Sequence, residues 1–276
     1  MDLTAYRNSQ AERQRVGDLL GRVPDGIHTA IDIGARDGFI SSKLADRSVR
    51  VTALDLERPT LADSRIVCVK GNATALDFED ASFDLVFCAE VLEHIAPPEL
   101  AKACRELVRV SRRYVLIGVP YKQDIRQGRT TCRQCGRTNP PWGHVNAFDE
   151  RRLATLFAGC SVLDQAFVGE AEMGTNWIAA GLMSAAGNPF GTYEQEEPCV
   201  HCGAALRRPP DRTVVQKVCT RLAEYTRTAQ RPFFKPRGNW LHVLFERPRA
   251  SGANRHGEGG PPSAVTPRGF PGGQAS

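Results

Sequence analysis

The chain has 276 residues, of which 41% are hydrophobic and 24% charged, and its formal net charge is +5. This length suits one α/β domain with embellishments, or two small domains, and a single core is favoured. No segment approaches the roughly 18 apolar residues that a membrane span needs, and residues 1–20 lack the order of a secretory signal. We therefore expect a cytoplasmic protein with no membrane partner.

Predicted strands and helices alternate along the first two thirds of the chain. Apolar runs predict strands at residues 30–33, 51–56, 83–88, 113–121 and 160–168, and a closing strand at 239–247. The helical spacing of Leu100, Cys104 and Leu107 follows the third run, and Asp149 is expected to cap a later helix. Strands that alternate with helices form a parallel sheet covered on both faces, so the predicted fold class is α/β with a doubly wound, mostly parallel sheet.

The last third of the chain is less regular. Residues 175–187 fit a strand or a helix, and their Ala, Leu and Met content favours a helix. Residues 211–230 have an apolar pattern of helical spacing, formed by Val214, Val215, Val218, Leu222 and Tyr225. The Gly-, Pro- and Ser-rich residues 248–276 are expected to form a disordered tail.

Positive charge is concentrated in residues 207–249. This segment holds eleven Lys or Arg and three Asp or Glu, so its net charge of 11 − 3 = +8 exceeds that of the whole chain. It could attract nucleic acid, a phosphorylated or nucleotide-linked substrate, or an acidic carrier protein. A solvated helix face is the alternative interpretation.

A glycine-bearing turn follows the first predicted strand, and an acid, Asp55, ends the second. Such a turn brings backbone and helix N-terminal amides close to a ligand, and the acid can bind ribose hydroxyls. A dinucleotide fingerprint requires glycines at positions 34, 36 and 39, where this chain has Gly34, Arg36 and Phe39. Nicotinamide and flavin dinucleotides are therefore not expected.

The segment AIDIGARDGFIS resembles the first motif of the class I S-adenosylmethionine-dependent methyltransferases, in particular those of type 11. Asp32, Gly34 and Gly38 match the motif, and Arg36 replaces its middle glycine. VTALDLE resembles the second motif, and GNATALDFEDASFDLVFCAEVLEHI resembles the third and fourth. The resemblance covers residues 30–168 and the closing strand at 240–245.

This resemblance implies a seven-stranded, Rossmann-like sheet and S-adenosylmethionine as the cofactor. Asp55 would bind the ribose, Leu56 would lie against the adenine, and Asn72 takes the place of an aspartate that is usual in the family. The implied cofactor-binding residues are Asp32, Gly34, Gly38, Asp55, Leu56, Asn72, Ala73 and Glu90. We expect an N-terminal helical segment at 1–25 and the methyltransferase domain at 26–247.

Nine cysteines, an odd number, argue against a disulfide framework. Two CxxCG segments, at Cys132/Cys135 and Cys199/Cys202, have the spacing of knuckles that together bind zinc through four thiolates. Reduced surface thiols are the alternative. The other five, Cys68, Cys88, Cys104, Cys160 and Cys219, have apolar neighbours and are expected to be buried.

The two knuckles, at 130–142 and 197–206, follow the fifth strand and precede the closing strand. Both should therefore lie at the ligand-binding edge of the sheet, where one zinc ion could join them as a small insertion over the cofactor. Four thiolates leave no open coordination position, so the expected role of the zinc is structural. His144 and His201 are reserve ligands.

Two histidines, His94 and His144, are the candidates to accept a proton from the methyl acceptor. Glu90, Glu93, His94 and His144 also resemble the metal-binding set of small-RNA 2′-O-methyltransferases and an E-x-x-E-H set of some quinone O-methyltransferases. A divalent ion such as Mg²⁺ bound there would lower the pKa of an acceptor hydroxyl.

The resemblance and these residues predict methyl transfer to a hydroxyl, or an amine, of a small or medium-sized metabolite, which could be anionic or glycosylated. An RNA 2′-O-methyltransferase with a bound divalent metal is one alternative, although a nucleic-acid partner is not favoured. A non-catalytic zinc-containing scaffold is the other alternative.

Overall fold

The computed structural model describes residues 7–47 and 49–248. Apart from Pro248, the predicted tail at 248–276 lies outside the described residues.

Seven strands form one sheet. The described residues contain nine strands in all, β1 (Thr29–Ile33), β2 (Arg50–Asp55), β3 (Ile66–Lys70), β4 (Phe83–Ala89), β5 (Ser111–Pro120), the short β6 (Thr130–Thr131) and β7 (Thr138–Asn139), β8 (Ser161–Val168) and β9 (Trp240–Glu246). The order in the sheet is β3-β2-β1-β4-β5-β9-β8, while β6 and β7 pair separately. Neighbours from β3 to β5 are parallel, and β9 runs antiparallel to β5 and to β8. The predicted α/β class and mostly parallel seven-stranded sheet are confirmed.

Helices cover both faces of the sheet. They are α1 (Gln10–Gly21), α2 (Phe39–Ala45), α3 (Pro97–Val110), α4 (Glu150–Leu156), α5 (Trp177–Ala185) and α6 (Val214–Ala229). One apolar cluster contains Leu107 of α3 and Leu153 of α4, and a second contains Leu19 of α1 and Leu44 of α2. Two separate clusters on one sheet are what a doubly wound topology requires, because each sheet face must be buried by its own helices. None of the helices in the described residues has the length and apolar content to cross a membrane.

The helix predicted at 211–230 is present as α6, but its apolar stripe faces outward. The five apolar residues that indicated the helix, Val214, Val215, Val218, Leu222 and Tyr225, are 49–77% exposed. The buried face instead carries small side chains, Thr220 and Ala223, and packs on α5, which buries Ala179 and Ala180. Small residues let two helices approach closely, so α6 packs through its small face rather than its apolar face.

The prediction that five cysteines are buried thiols holds for two of them. Cys88 and Cys104 lie in the core, whereas Cys68, Cys160 and Cys219 are only half-buried. The differences follow from position, because Cys68 lies on the edge strand β3 and Cys160 directly precedes the opposite edge strand β8. Cys219 lies on α6, outside the two main clusters.

Candidate functional site

The loops that follow the parallel strands meet at one edge of the sheet. The turn after β1, the acid at the end of β2 and the turns after β4 and β5 all lie there, since parallel strands end on the same side. Because β9 is antiparallel, the segment that precedes it reaches the same edge. Most of the site residues predicted from the sequence lie in these loops or strand ends, whereas Asn72 and Ala73 lie in the loop after β3 and Asp32 lies within β1.

The turn after β1 has three left-handed residues. Gly34 (φ 77°) and Gly38 (φ 73°) flank Arg36, whose φ is 46°. A Cβ atom at Gly34 would lie 2.3 Å from Cγ2 of Val91, so only glycine fits there. Arg36 replaces the middle glycine of the motif but adopts the left-handed backbone conformation that glycine favours. The turn therefore keeps its left-handed residue at this position. Its guanidinium forms a 3.0 Å ion pair with Glu196, the residue directly before the second knuckle.

Asp55 is held in place by two backbone N–H groups. The N–H of Arg36 donates to Oδ2 at 2.8 Å, and the N–H of Leu56 donates to Oδ1 at 2.7 Å. Each oxygen keeps lone-pair capacity for a further donor. Leu56, beside it, is 64% exposed and offers an apolar surface at the strand end.

Asp32 lies under the turn. It is only 3% exposed, and its carboxyl accepts a 2.6 Å hydrogen bond from Ser41 of α2. Burial raises the pKa of this carboxyl to about 7, and the charge of Asp55 adds to the effect. Asp32 therefore ties β1 to α2 rather than facing the open edge.

The loop after β3 holds the next two predicted cofactor residues. Oδ1 of Asn72 accepts hydrogen bonds of 2.9 Å from both the backbone N–H and the hydroxyl of Thr74. Ala73 is 8% exposed. The Asn72 side chain thus stabilises its own loop, and the loop stands beside the end of β2.

Glu90, at the end of β4, is half-buried and has a positive φ of 57°. Nε1 of Trp240 donates to its Oε2 at 3.4 Å, and a guanidinium nitrogen of Arg15 lies 4.0 Å from its Oε1. Burial raises the pKa of Glu90, and Arg15 acts against this rise. Arg15 belongs to α1 and pairs with the buried Glu12 at 2.8 Å. The contribution of α1 to this edge is not visible in the sequence pattern.

Glu93 lies in the turn after β4 and is fully buried. Both of its carboxyl oxygens lack a hydrogen-bond partner among the described residues. Burial, together with the charge of Glu90, raises the pKa of Glu93 well above its ordinary value. Ligand atoms of Glu93, His94 and His144 lie within 4.8 Å of one another. The structure therefore brings together three of the four residues of the predicted metal set; Glu90 is not in this group.

The two candidate histidines are in contact. Their rings meet edge to face with centroids 4.6 Å apart. Nδ1 of His144 lies 2.6 Å from Oε1 of Gln123, so Nδ1 carries the proton and donates. Burial and the neighbouring His94 lower the pKa of His144 to about 3. His94 remains exposed, although the surrounding protein lowers its pKa as well.

Asn146, which sequence reasoning missed, joins the two histidine loops. It is 2% exposed, and its amide donates to the carbonyls of Leu92 at 3.1 Å and Ile95 at 2.6 Å. Arg152 of α4 donates to its Oδ1 at 2.8 Å. A fully bonded buried amide fixes the turn of His94 against the loop of His144. A lone Asn in a loop carries no sequence signal for this role.

The four predicted zinc ligands converge. The sulfurs of Cys132 and Cys202 are 3.7 Å apart, as are those of Cys135 and Cys199, and all four lie within 4.8 Å of one another. A tetrahedral ion with Zn–S bonds of about 2.3 Å needs sulfurs about 3.8 Å apart. The cluster contains neither reserve ligand, because His144 lies with His94 and the exposed His201 contacts the carbonyl of Thr138.

The two knuckles have the same backbone form. Gly136 (φ 69°) donates its N–H to the carbonyl of Cys132, and Gly203 (φ 72°) donates to that of Cys199. A small apolar cluster contains Cys132, Cys199, Tyr193 and Leu206. The N–H of Trp142 also donates to Gln195 at 2.7 Å. The two insertions therefore form one unit, which the Arg36–Glu196 ion pair joins to the turn after β1.

Residues 31–116 match the model of the methyltransferase domain family. The ubiquinone biosynthesis O-methyltransferase of Idiomarina loihiensis is 31% identical over 90 residues, which cover 29% of this chain and 37% of that protein. The chain thus spans less than half of the length of the curated relatives of this kind that it matches.

Two solved structures have the same fold. A candidate methyltransferase from Bacillus halodurans C-125 superposes with a TM-score of 0.55 at 14% identity and covers 84% of this chain and 98% of its own. The N-methyltransferase NodS from Bradyrhizobium japonicum WM9, in complex with S-adenosylhomocysteine, has a TM-score of 0.50 at 19% identity, with 62% and 86% covered. The fold is that of the class I methyltransferases. Residues 31–116 are the part of this fold that matches the methyltransferase domain family.

Proposed function

We propose that the chain is an S-adenosylmethionine-dependent methyltransferase that acts on a hydroxyl, or an amine, of a small or medium-sized metabolite. The observation that carries the proposal is the pairing of the left-handed turn at Gly34–Gly38 with the Asp55 carboxylate, held by the N–H groups of Arg36 and Leu56. Asp55 would accept the ribose hydroxyls, and the exposed Leu56 would lie along the adenine, with Asn72 and Ala73 beside it.

When bound, S-adenosylmethionine supplies a methyl group on a sulfonium, which leaves to the acceptor while the C–S electron pair stays on sulfur. The protein must align the acceptor and take up its proton. We assign the uptake of this proton to His94, because its side chain is exposed and accessible to an acceptor. A pKa of about 3 makes the buried His144 a weak base, so it acts as a positioning residue that holds the ring of His94.

Oxygen is the favoured acceptor atom. The curated relatives named for ubiquinone biosynthesis are O-methyltransferases, and Glu93 and His94 lie in the segment that matches the methyltransferase domain family. A hydroxyl needs a base more than a neutral amine does, because its proton must leave as the O–C bond forms. A neutral imidazole at the edge of the site suits that requirement.

We further propose that the four cysteines bind one structural zinc ion. Their sulfur separations of 3.7 Å match a tetrahedral site, and the cluster uses all four coordination positions. The zinc would supply no chemistry to the reaction. It would hold the two insertions together above the cofactor edge, where Glu196 and Glu197 face Arg36 and His94.

The test is formation of S-adenosylhomocysteine and methylated product, measured by mass spectrometry over a panel of phenols, catechols, sugars and amines. With the acceptor found, His94→Gln should lower kcat about 100-fold and leave the KM for S-adenosylmethionine within about twofold. His28→Gln is the matched control, because His28 is exposed at the opposite edge of the sheet. Equal kcat values for the two variants would remove His94 from the reaction.

A further inference from the structure

A cleft of about 890 Å³ opens at the same edge as the site. Its walls come from residues 121–129 after β5, residues 173–175 after β8 and residues 230–237 before β9. Gln123 lines the cleft and at the same time accepts the hydrogen bond of His144. The cleft therefore adjoins the histidine pair.

Positive charge dominates the lining of the cleft. The basic residues are Lys122, Arg126, Arg129, Lys235 and Arg237, and the acidic residue is Asp124. Asp124 is already neutralised, since Arg126 binds it at 2.8 Å and the N–H of Thr175 donates to it at 2.7 Å. This ion pair orders the loop after β5 against the start of α5, and it leaves the other cations without a carboxylate from the lining.

Three of these cations have no ionic partner in the part of the chain that the structure describes. Arg129, Lys235 and Arg237 form no ion pair with any residue in the described ranges. Arg237 donates one bond to the carbonyl of Lys122, while its buried Nε has no partner in the described part of the chain. Like charges gathered in one cleft repel one another, and a bound anion relieves that repulsion. Guanidinium groups also match the oxygens of phosphate and carboxylate.

The cleft also presents apolar surface beside the cations. Phe233 is 84% exposed, and Phe234, Tyr121 and Met173 complete this side of the lining. An exposed phenylalanine gains free energy when a ligand covers it. A ligand that satisfies both parts of the lining has an anionic group joined to an aromatic or other apolar body.

We propose that this cleft is the acceptor site and that the acceptor is an organic anion, with a phosphate or carboxylate held by Arg129, Lys235 and Arg237. The inference rests on the proposed methyltransferase function, which it deepens by naming the class of acceptor. The acceptor's reactive group would point along Gln123 toward His94. Lys235 and Arg237 belong to the basic segment at 207–249, so part of that charge serves the acceptor.

The test uses phenyl phosphate and phenol as probes, titrated calorimetrically into full-length, zinc-loaded protein saturated with S-adenosylhomocysteine. Phenyl phosphate should bind at least about tenfold tighter than phenol, and the difference should shrink as salt rises. Lys235→Glu should weaken phenyl phosphate binding about tenfold or more. Arg221→Glu is the matched control, because it makes the same charge change on an exposed α6 residue outside the cleft, and it should change the affinity less than about twofold.

Equal affinity for phenyl phosphate and phenol would overturn the proposal, and so would an equal loss of affinity in the two variants. Binding of S-adenosylhomocysteine is measured first, in each protein. If it binds and phenyl phosphate does not, the acceptor proposal fails and the cofactor site stands. If it does not bind while Lys235→Glu still abolishes phenyl phosphate binding, the anion site stands and the methyltransferase function fails.

Discussion

Asp32→Asn should remove a pH dependence from the stability of this protein. Asp32 is buried under the cofactor turn and has a pKa of about 7 in the folded protein, against 3.8 for an unperturbed carboxyl. Asparagine has nearly the same shape, and its carbonyl oxygen can still accept the hydrogen bond from Ser41. The substitution therefore removes the ionisation and keeps the packing.

Whether stability rises or falls with pH depends on which state, folded or unfolded, keeps the Asp32 proton. Between the two pKa values the unfolded chain loses the Asp32 proton while the folded protein keeps it, so a rise in pH favours unfolding. The full effect is about 3 pKa units, or about 4 kcal/mol, and about 2.5 kcal/mol of it falls between pH 5 and pH 8. The stabilisation that the bound Asp32 proton gives the folded protein is completely lost once the pH exceeds the folded pKa of about 7.

The assay is urea unfolding at pH 5, 6, 7 and 8, with and without the substitution. The free energy of unfolding of Asp32→Asn minus that of the natural protein should increase by about 2.5 kcal/mol over this range. The subtraction cancels every other group that titrates, including the zinc thiolates. A difference that stays constant with pH would show that Asp32 ionises normally and that the reasoning from its burial is wrong.

The remaining predictions concern the four-cysteine cluster, the turn after β1 and the loops of His94 and His144. Cys199→Ser should weaken zinc binding more than about tenfold by elemental analysis, whereas Cys219→Ser, outside the cluster, should retain the metal; full zinc in both would refute the four-thiolate site. The free energy of unfolding of Arg36→Gly should be about 1 kcal/mol higher than that of Arg36→Ala, since both variants lose the ion pair and only glycine is unstrained at φ 46°. A lower free energy of unfolding for Arg36→Gly would contradict the positive φ. Asn146→Ala should lower kcat about tenfold while calorimetry shows unchanged cofactor affinity, and an unchanged kcat would mean that the histidine loops hold without it.

The strands of the sheet were largely predictable, because buried parallel strands consist of short apolar runs. β1, β4 and β5 match such runs, and so does β9, which is antiparallel but equally buried. The strand that the pattern does not locate is β3, an edge strand with a mixed burial pattern in which Val67 is exposed. The apolar pattern in the sequence is weakest where neighbouring elements bury only part of a strand.

The apolar pattern of α6 identified a helix but said nothing of which way it faces. A helix normally turns its apolar stripe to the core, and here packing through Thr220 and Ala223 turns Val214 and Tyr225 outward instead. The arrangement depends on the shape of α5, so it appears only in three dimensions. The same holds for the cleft, whose three walls are about 50 to 100 residues apart in the chain.

The site was predictable where chemistry depends on local spacing. The cysteine pairs and the turn at Gly34–Gly38 could be identified from the sequence, since each motif is a few residues long. The contact of His94 with His144, the approach of Arg15 to Glu90 and the burial of Glu93 depend on packing between distant segments. The left-handed conformation of Arg36 also appears only in the structure, and it explains how the turn tolerates that residue.

The most direct test of the proposed function is calorimetric titration of zinc-loaded protein with S-adenosylhomocysteine. We expect one site per chain with a roughly micromolar Kd, at least about tenfold weaker binding in Asp55→Ala, and no change in Asp25→Ala, an exposed acid at the opposite edge of the sheet. Absence of binding by folded, zinc-loaded natural protein, or equal binding by the two variants, would contradict the cofactor site described above.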